Sequence, residues 1–366
     1  MEEPLLGDWL LIGAAEFGYN PFSGMLANGP RSLADNNLNP LANQTANGDA
    51  SRAGEWDNSQ GFVGVSSKTY GTLTAGRVNA LSTDVLTAYD PVRSAAFSLI
   101  GFNGTFPGLG TGELTRVNTA VIYRLEYGNF RVAGLAQVGN GYALGNSSMG
   151  EYQGQVGATF GGFSIDGVVS TAKDAVALSS YGGAGLPAGY DPNSILKATL
   201  SNNTAFMLAA RYKWDRFEVY GGATYARLAN PSDACPNGFP TVALGIFVPP
   251  GGVNSTNYDV NRILNTFWTG GRYNIWSNLS VSAGLYYQTQ NNYLPAPETW
   301  TGHSTGTSSN KCAGSQSAIS FLIDYKPFKR VDLYGGMMVS NVYGGLASGY
   351  FKTQNLDPTV GLRIRF

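Results

Sequence analysis

The chain has 366 residues, of which only 13% are Asp, Glu, Lys or Arg, about half the ~25% usual in soluble domains. Its formal net charge of −1 offers no basic face to nucleic acid, and no apolar run reaches the ~18 residues that would cross a bilayer as a helix. A hydrophobic share of 43% with so little net charge argues against disorder as well.

One membrane architecture fits this balance. In a transmembrane β-barrel apolar residues alternate with polar ones, so one face is greasy while the mean hydropathy stays near zero, here −0.11. The first residues, MEEPLLGDWL, contain no basic segment, apolar stretch or small-residue cleavage site, so no signal peptide is expected in them. An outer-membrane barrel needs one, which suggests a mature or truncated chain.

In chain order, strands are expected at Trp9 to Tyr19, Gly61 to Ser67 and Thr72 to Arg77, the last two joined by a turn around Lys68 to Gly71. Arg116 to Tyr127 alternates with period two. Val117, Thr119, Val121, Tyr123, Leu125 and Tyr127 share one face, and Arg116, Asn118, Arg124 and Glu126 share the other with Ala120 and Ile122. A Gly128-Asn129 connection leads into Phe130 to Val138, a hairpin signature. The unit recurs as Tyr152 to Phe160 with Phe163 to Thr171, Thr204 to Trp214 with Phe217 to Tyr225, Arg262 to Ile275 with Leu279 to Gln290, and Ala318 to Tyr325 with Val331 to Ser340. Pro358 to Phe366 ends the chain. That makes fourteen strands, most near the ~9–11 residues of a tilted membrane strand.

Short turns alternate with long Gly/Asn/Ser/Pro-rich connections: Asn20 to Asn58, Val78 to Thr115, Gly139 to Gly150, Lys173 to Asn203, Leu228 to Asn261, Asn291 to Ser317 and Asn341 to Asp357. A barrel with short turns at one rim and long loops at the other has this pattern by construction. Aromatic residues near strand ends (Tyr123, Tyr127, Phe130, Tyr152, Phe160, Phe163, Tyr212, Trp214, Phe217 and Tyr225) read as girdles at the lipid interfaces. Cross-strand packing in a soluble β-sandwich is the alternative. No linker or solenoid-length repeat divides the chain, so residues 1–366 are expected to form one domain.

Residues Ser59 to Arg77, SQGFVGVSSKTYGTLTAGR, resemble the Gram-negative general-diffusion porins through Gln60, Phe62, Val63, Gly64 and Ser66, then Gly71, Gly76 and Arg77. The final VGLRIRF resembles that family's closing strand, with Phe366 as its terminal aromatic and assembly signal. The resemblance implies a sixteen-stranded, trimeric outer-membrane channel whose long third loop folds into the lumen. Val78 to Thr115 corresponds to that constriction loop. It also implies contacts with lipid, lipopolysaccharide and the barrel-assembly machinery, and a neighbour-latching role for the loop Asn20 to Asn58. Trp9 to Tyr19 corresponds to the family's third strand, so two N-terminal strands are expected to be missing; a fragment and a true fourteen-strand barrel are the two explanations.

Catalysis is not expected. The single histidine, His303, sits in a Gly/Ser/Thr-rich loop without an adjacent carboxylate, and no nucleophile elbow, zinc motif or phosphate-cradling loop is present. No metal or cofactor is implied. Cys235 and Cys312 fall in two long loops on one side, where an oxidising compartment permits a disulfide; two free thiols are the alternative.

Charge on the lumen parity is the functional signal. Its basic members are Arg116, Arg124, Arg131, Arg211, Lys213, Arg262, Arg272, Lys326, Arg363 and Arg365; its acidic members are Glu16, Glu126, Asp166, Glu218, Asp324 and Asp332. Lys213, Asp324, Lys326 and Asp332, near the short turns, read as a solvated rim. The constriction loop brings Asp84, Asp90 and Glu113, partly offset by Arg93, towards wall arginines including Arg77. The expected function is passive diffusion of small hydrophilic solutes and ions through a water-filled outer-membrane pore, sieved by charged rings. A structural or adhesive barrel with a blocked lumen is the alternative.

Overall fold

The computed structural model describes residues 2–16, 19–20, 25–26, 60–93, 98–101, 116–139, 148–180, 196–232, 242–243, 246–247, 253–255, 258–293, 313–347 and 353–364. Its frame is an antiparallel meander in which each strand pairs with its neighbours in sequence. The strands are β1 (Glu2–Pro4), β2 (Trp9–Ala15), β3 (Gly61–Ser67), β4 (Gly71–Asn79), β5 (Arg116–Tyr127), β6 (Phe130–Gln137), β7 (Gly150–Phe160) and β8 (Phe163–Ser180). They continue as β9 (Leu196–Trp214), β10 (Phe217–Ala229), β11 (Arg262–Trp276), β12 (Leu279–Gln290), β13 (Gly314–Phe328), β14 (Val331–Gly344) and β15 (Gln354–Ile364). A helix, α1 (Leu81–Tyr89), follows β4. Among the described residues the ladder runs from β1 to β15, with no pairing between those two strands.

The alternation read from the sequence is the alternation of burial. Along β12, Leu285 and Tyr287 are exposed while Tyr286 and Gln288 are buried. All ten girdle aromatics lie on the exposed face. At the short-turn rim Trp9 stacks on Tyr70 at 5.8 Å, and Phe217 meets Tyr273 at 4.5 Å. The hairpin turns follow their residues: Gly128 and Asp215 open two-residue connections with φ +59 and +50, values a glycine adopts freely and an aspartate tolerates.

Three sequence expectations are corrected. The strand count lacked β1, whose three residues are too few to show a period. Much of the segment Lys173 to Asn203, expected as loop, is strand. β8 and β9 are 18 and 19 residues long, well beyond the ~9–11 a bilayer needs. A β-bulge in β8 between Ala172 and Ala175 interrupts the period, which hid the extension.

The third correction concerns β5. Arg77 of β4 faces two residues, Asn118 and Thr119, because the register jumps between Gly76/Ala120 and Val78/Val117. Thr119 has φ +48. The extra residue flips the parity of everything before it, so Val117 is buried beside Val78 rather than turned to lipid.

The described parts of Val78 to Thr115 lie inside the sheet, as expected of an in-folded loop. Leu81, Val85 and Leu86 of α1, with Leu99 and Ile100, form one buried apolar cluster with inward residues of β5 to β9, among them Ile122, Leu135, Val168 and Met207. Burying each such side chain contributes about 1.5–3 kcal/mol. This offsets the absence of a side-chain N-cap at Ala80.

Candidate functional site: the lumen around α1

Helix α1 turns Leu81, Ser82, Val85, Leu86 and Tyr89 to the wall, leaving Thr83, Asp84, Thr87 and Ala88 towards the open lumen. Asp84 is the one charge on that exposed side. Its Oδ2 accepts from Arg124 Nη2 at 2.5 Å, and its Oδ1 from Asn79 Nδ2 at 3.2 Å. The Asp84 and Arg124 side chains remain 40% and 37% exposed, so the pair meets water. Burial against the wall pushes the Asp84 carboxyl above the usual carboxylate range, outweighing the pull of Arg124.

The start of α1 is tied to β7, where Gln153 Oε1 accepts the Ser82 N–H at 3.1 Å. Its end is held more tightly. The Tyr89 hydroxyl lies 2.5 Å from Asp166 Oδ2, 2.7 Å from Ser164 Oγ and 2.9 Å from Arg131 Nη2. The Tyr89 carbonyl accepts from Trp268 Nε1 at 3.1 Å. Asp90, fully buried, accepts from the Tyr286 hydroxyl at 2.6 Å. Two glycines make this seating possible: a Cβ at Gly222 would enter the Trp268 indole, and one at Gly270 would enter Pro91.

The structure therefore separates residues that the sequence grouped. Asp84 and Arg124 are together. Asp90 is turned into the wall as an anchor, because Tyr286 and the Val92 N–H occupy its carboxylate. Arg131 is bound to Asp166, Thr159, Ser164 and Tyr89 beneath α1. Arg272 is 2% exposed, its Nε donating to Ser282 Oγ at 3.1 Å. Arg77 donates to Asn118 across the bulge. The same bulge puts Arg116 on the opposite parity from Arg124, within electrostatic reach of Glu16. Glu16 also accepts from Gln60 at 3.3 Å.

Towards the ends of the strands, Arg262 donates to Gln290 at 2.8 Å and lies 5.4 Å over the Tyr293 ring. Arg363 pairs with Asp332 at 3.7 Å. Arg211 lies on β9 near Tyr220. Glu113, Cys235, His303, Cys312, Arg365 and Phe366 lie outside the described residues.

Parity and charge missed Tyr89, Trp268, Tyr286 and Gln153. A signal for the docking bed was nonetheless present. Ala120, Ile122, Leu135, Val168 and Met207 are apolar at positions where a wetted wall would carry polar residues.

A family model for Gram-negative porins matches residues 22–343. Among solved structures, Salmonella typhi OmpF in complex with daunomycin is 14% identical with a TM-score of 0.55, covering 99% of this chain and 87% of its own. OmpT, an outer membrane protein of Vibrio cholerae, is 14% identical with a TM-score of 0.55, covering 84% and 79%. Its trimer form aligns with a TM-score of 0.52 at 14% identity, covering 84% and 80%. No curated protein sequence matches the chain significantly. With a family match over most of its length and an outer-membrane barrel fold, the chain belongs to the Gram-negative porins, the outer-membrane channels through which small solutes diffuse passively.

Proposed function

We propose that α1 narrows a single porin domain and that the Asp84–Arg124 pair sits at the narrowest, solvated part of the pore. The observation that carries this is the position of Asp84. It is the charge on the exposed side of a helix whose other side is buried against the inner wall, and it meets a wall arginine at 2.5 Å. In direct contact, the two charges form a dipole at the edge of the lumen rather than a net charge, and each is left as a selectivity determinant when the other is removed. Arg77 and Arg93 complete the charged lining in this reading. Glu16, Arg211, Arg262 and Arg363 belong to the wall further out.

No chemistry is required of the protein and no cofactor enters. The exposed apolar band (Leu208, Phe206, Leu285 and Phe321 among its members) suits lipid and neighbouring copies. The trimer form of Vibrio cholerae OmpT supports a homotrimer here. Lipopolysaccharide and the barrel-assembly machinery, through Phe366, are the further partners of this reading.

Planar-bilayer recordings test it. The refolded protein should conduct in steps of three, with liposomes swelling in small neutral sugars. Asp84→Asn should shift the reversal potential in a KCl gradient towards anions. A folded protein with no conductance would instead mark a barrel with a blocked lumen.

A further inference from the structure

Two β-bulges at the short-turn rim turn aromatic side chains away from the lumen. In β11 the register slips between Asn274 and Trp276, so Trp276 lies opposite Leu279. In β13 it slips between Tyr325 and Phe328, so Phe328 lies opposite Val331. Regular alternation would put both rings on the inward parity of Arg272 and Asp324. The extra residue in each strand carries them to the lipid-facing parity of Leu285 and Phe321. Trp214, at the end of β9, shares that parity with the exposed Leu208 without a bulge. Trp214, Trp276 and Phe328 are 69%, 64% and 71% exposed, so the sheet itself gives most of their surface no contact.

The turns beside these rings are basic. Arg216 lies in the turn from β9 to β10, and Lys329 and Arg330 make the turn from β13 to β14. All three are exposed. Asp215 is the one acid in these turns, while Asp324 and Asp332 are buried on the inner face. Among the described residues no carboxylate forms an ion pair with Arg216, Lys329 or Arg330. The turns of the hairpins from β5 to β8, Gly128-Asn129 and Gly161-Gly162, carry no charge.

Backbone ties join these pieces into one rim. Arg216 is laid towards Trp276, because its Nη1 donates to the Ile275 carbonyl at 3.3 Å and its carbonyl accepts from the Asn274 N–H at 2.9 Å. The Asn278 carbonyl, two residues past Trp276, accepts from the Lys326 N–H at 2.8 Å. From β9 to β14 the rim therefore carries cations at both ends and outward rings along its length.

We propose that this arc is a docking surface for anionic phospholipid in the leaflet at the short-turn rim. An outward ring at the interface sets its apolar body among acyl chains, while long basic side chains reach the headgroup level. A guanidinium engages one carbonyl and keeps further N–H donors for phosphate oxygens. The lipid, rather than a soluble anion, is the occupant because a free ion gains nothing from Trp276 or Phe328. Anionic lipid thus gathers on one side of the barrel. The proposal does not depend on where α1 sits in the lumen.

The test titrates full-length protein in detergent with phosphatidylglycerol and, separately, with phosphatidylcholine of the same acyl chains, counting bound lipids by native mass spectrometry. Phosphatidylglycerol should bind more tightly. Replacing Arg216, Lys329 and Arg330 together with Gln should weaken phosphatidylglycerol about tenfold or more, since each basic residue near anionic lipid adds to the attraction. Phosphatidylcholine binding should not change. Trp276→Ser should weaken both lipids alike, and Lys68→Gln, in the turn between β3 and β4, should change neither. Raising the salt to about 0.5 M should narrow the wild-type preference. Inorganic phosphate in excess should not displace the lipid. If the triple variant keeps the preference, or Lys68→Gln lowers it equally, the arc is not the docking surface. Displacement by phosphate would reduce it to a site for a free ion and overturn the proposal. Should the triple variant fail to fold, the salt series on the wild type decides: a preference untouched by salt refutes the surface.

Discussion

The Tyr89 hydroxyl, on the last turn of α1, donates a 2.5 Å hydrogen bond to the Asp166 carboxylate of β8. That bond makes Arg131 a clamp, because Arg131 Nε donates to Asp166 Oδ1 at 2.8 Å and its Nη2 to the Tyr89 oxygen at 2.9 Å. An arginine on the lumen parity is thereby spent on holding the helix.

Tyr89→Phe keeps the ring in its apolar seat and deletes the hydroxyl, while Arg131 and Gln155 still satisfy Asp166. The expected cost is about 1 kcal/mol. Single-channel traces should become noisier with additional substates, at an unchanged reversal potential. A shifted reversal potential with quiet traces would mean that Tyr89 tunes charge, not position.

Arg124→Gln should act opposite to Asp84→Asn. It leaves Asp84 without its 2.5 Å partner and should move the reversal potential towards cations. Two shifts of the same sign would show that the pair does not set the field at the narrow part.

Acidification should discharge Asp84 early. Its carboxyl is pushed up by burial, so as pH falls it takes a proton before a free aspartate does, near ~3.9. Above that transition Asp84 is charged and balances Arg124; below it Arg124 stands alone and the current leans towards anions. The shift should begin above pH ~4 in wild-type recordings and be missing in Asp84→Asn.

Lipid-facing and lumen-facing positions should differ sharply. Leu285, 52% exposed in the middle of β12, should cost about 2–4 kcal/mol as Leu285→Arg if it lies near the bilayer midplane. Thr359→Arg, on the opposite parity from the exposed Val360 and Leu362 of β15, should cost less than about 1 kcal/mol. Urea unfolding in lipid vesicles measures both. Equal costs would invert the inside and outside assigned to these strands.

Cys235 and Cys312 are proposed to form a loop-to-loop disulfide spanning 77 positions. Closing such a loop contributes up to about 4.5 kcal/mol in the chain-entropy model. Labelling unreduced, unfolded protein with a maleimide should find no free thiol; two labelled thiols would refute the bridge.

The meander, its hairpins and its two faces were legible in the sequence because each rests on local chemistry. Period two in Arg116 to Tyr127, and Gly or Asp where the backbone must turn left-handed at Gly128 and Asp215, need no distant contact. The lipid face was equally legible, since the aromatics of strand ends follow the same period. What the tertiary structure decided is which inward residues face water and which face α1. Parity gives Arg124, Arg131 and Arg272 the same standing, yet one meets the pore, one clamps Tyr89 and one is buried. Parity also carried Val117 to the wrong face, because a bulge at Thr119 depends on how β4 and β5 register and leaves no mark in composition. Asp84 and Asp90 are six residues apart in one loop. Only the docking of α1 on Ile122, Leu135, Val168 and Met207 turns the first carboxylate to the lumen and the second into Tyr286, because burying that apolar face fixes the rotation of the helix.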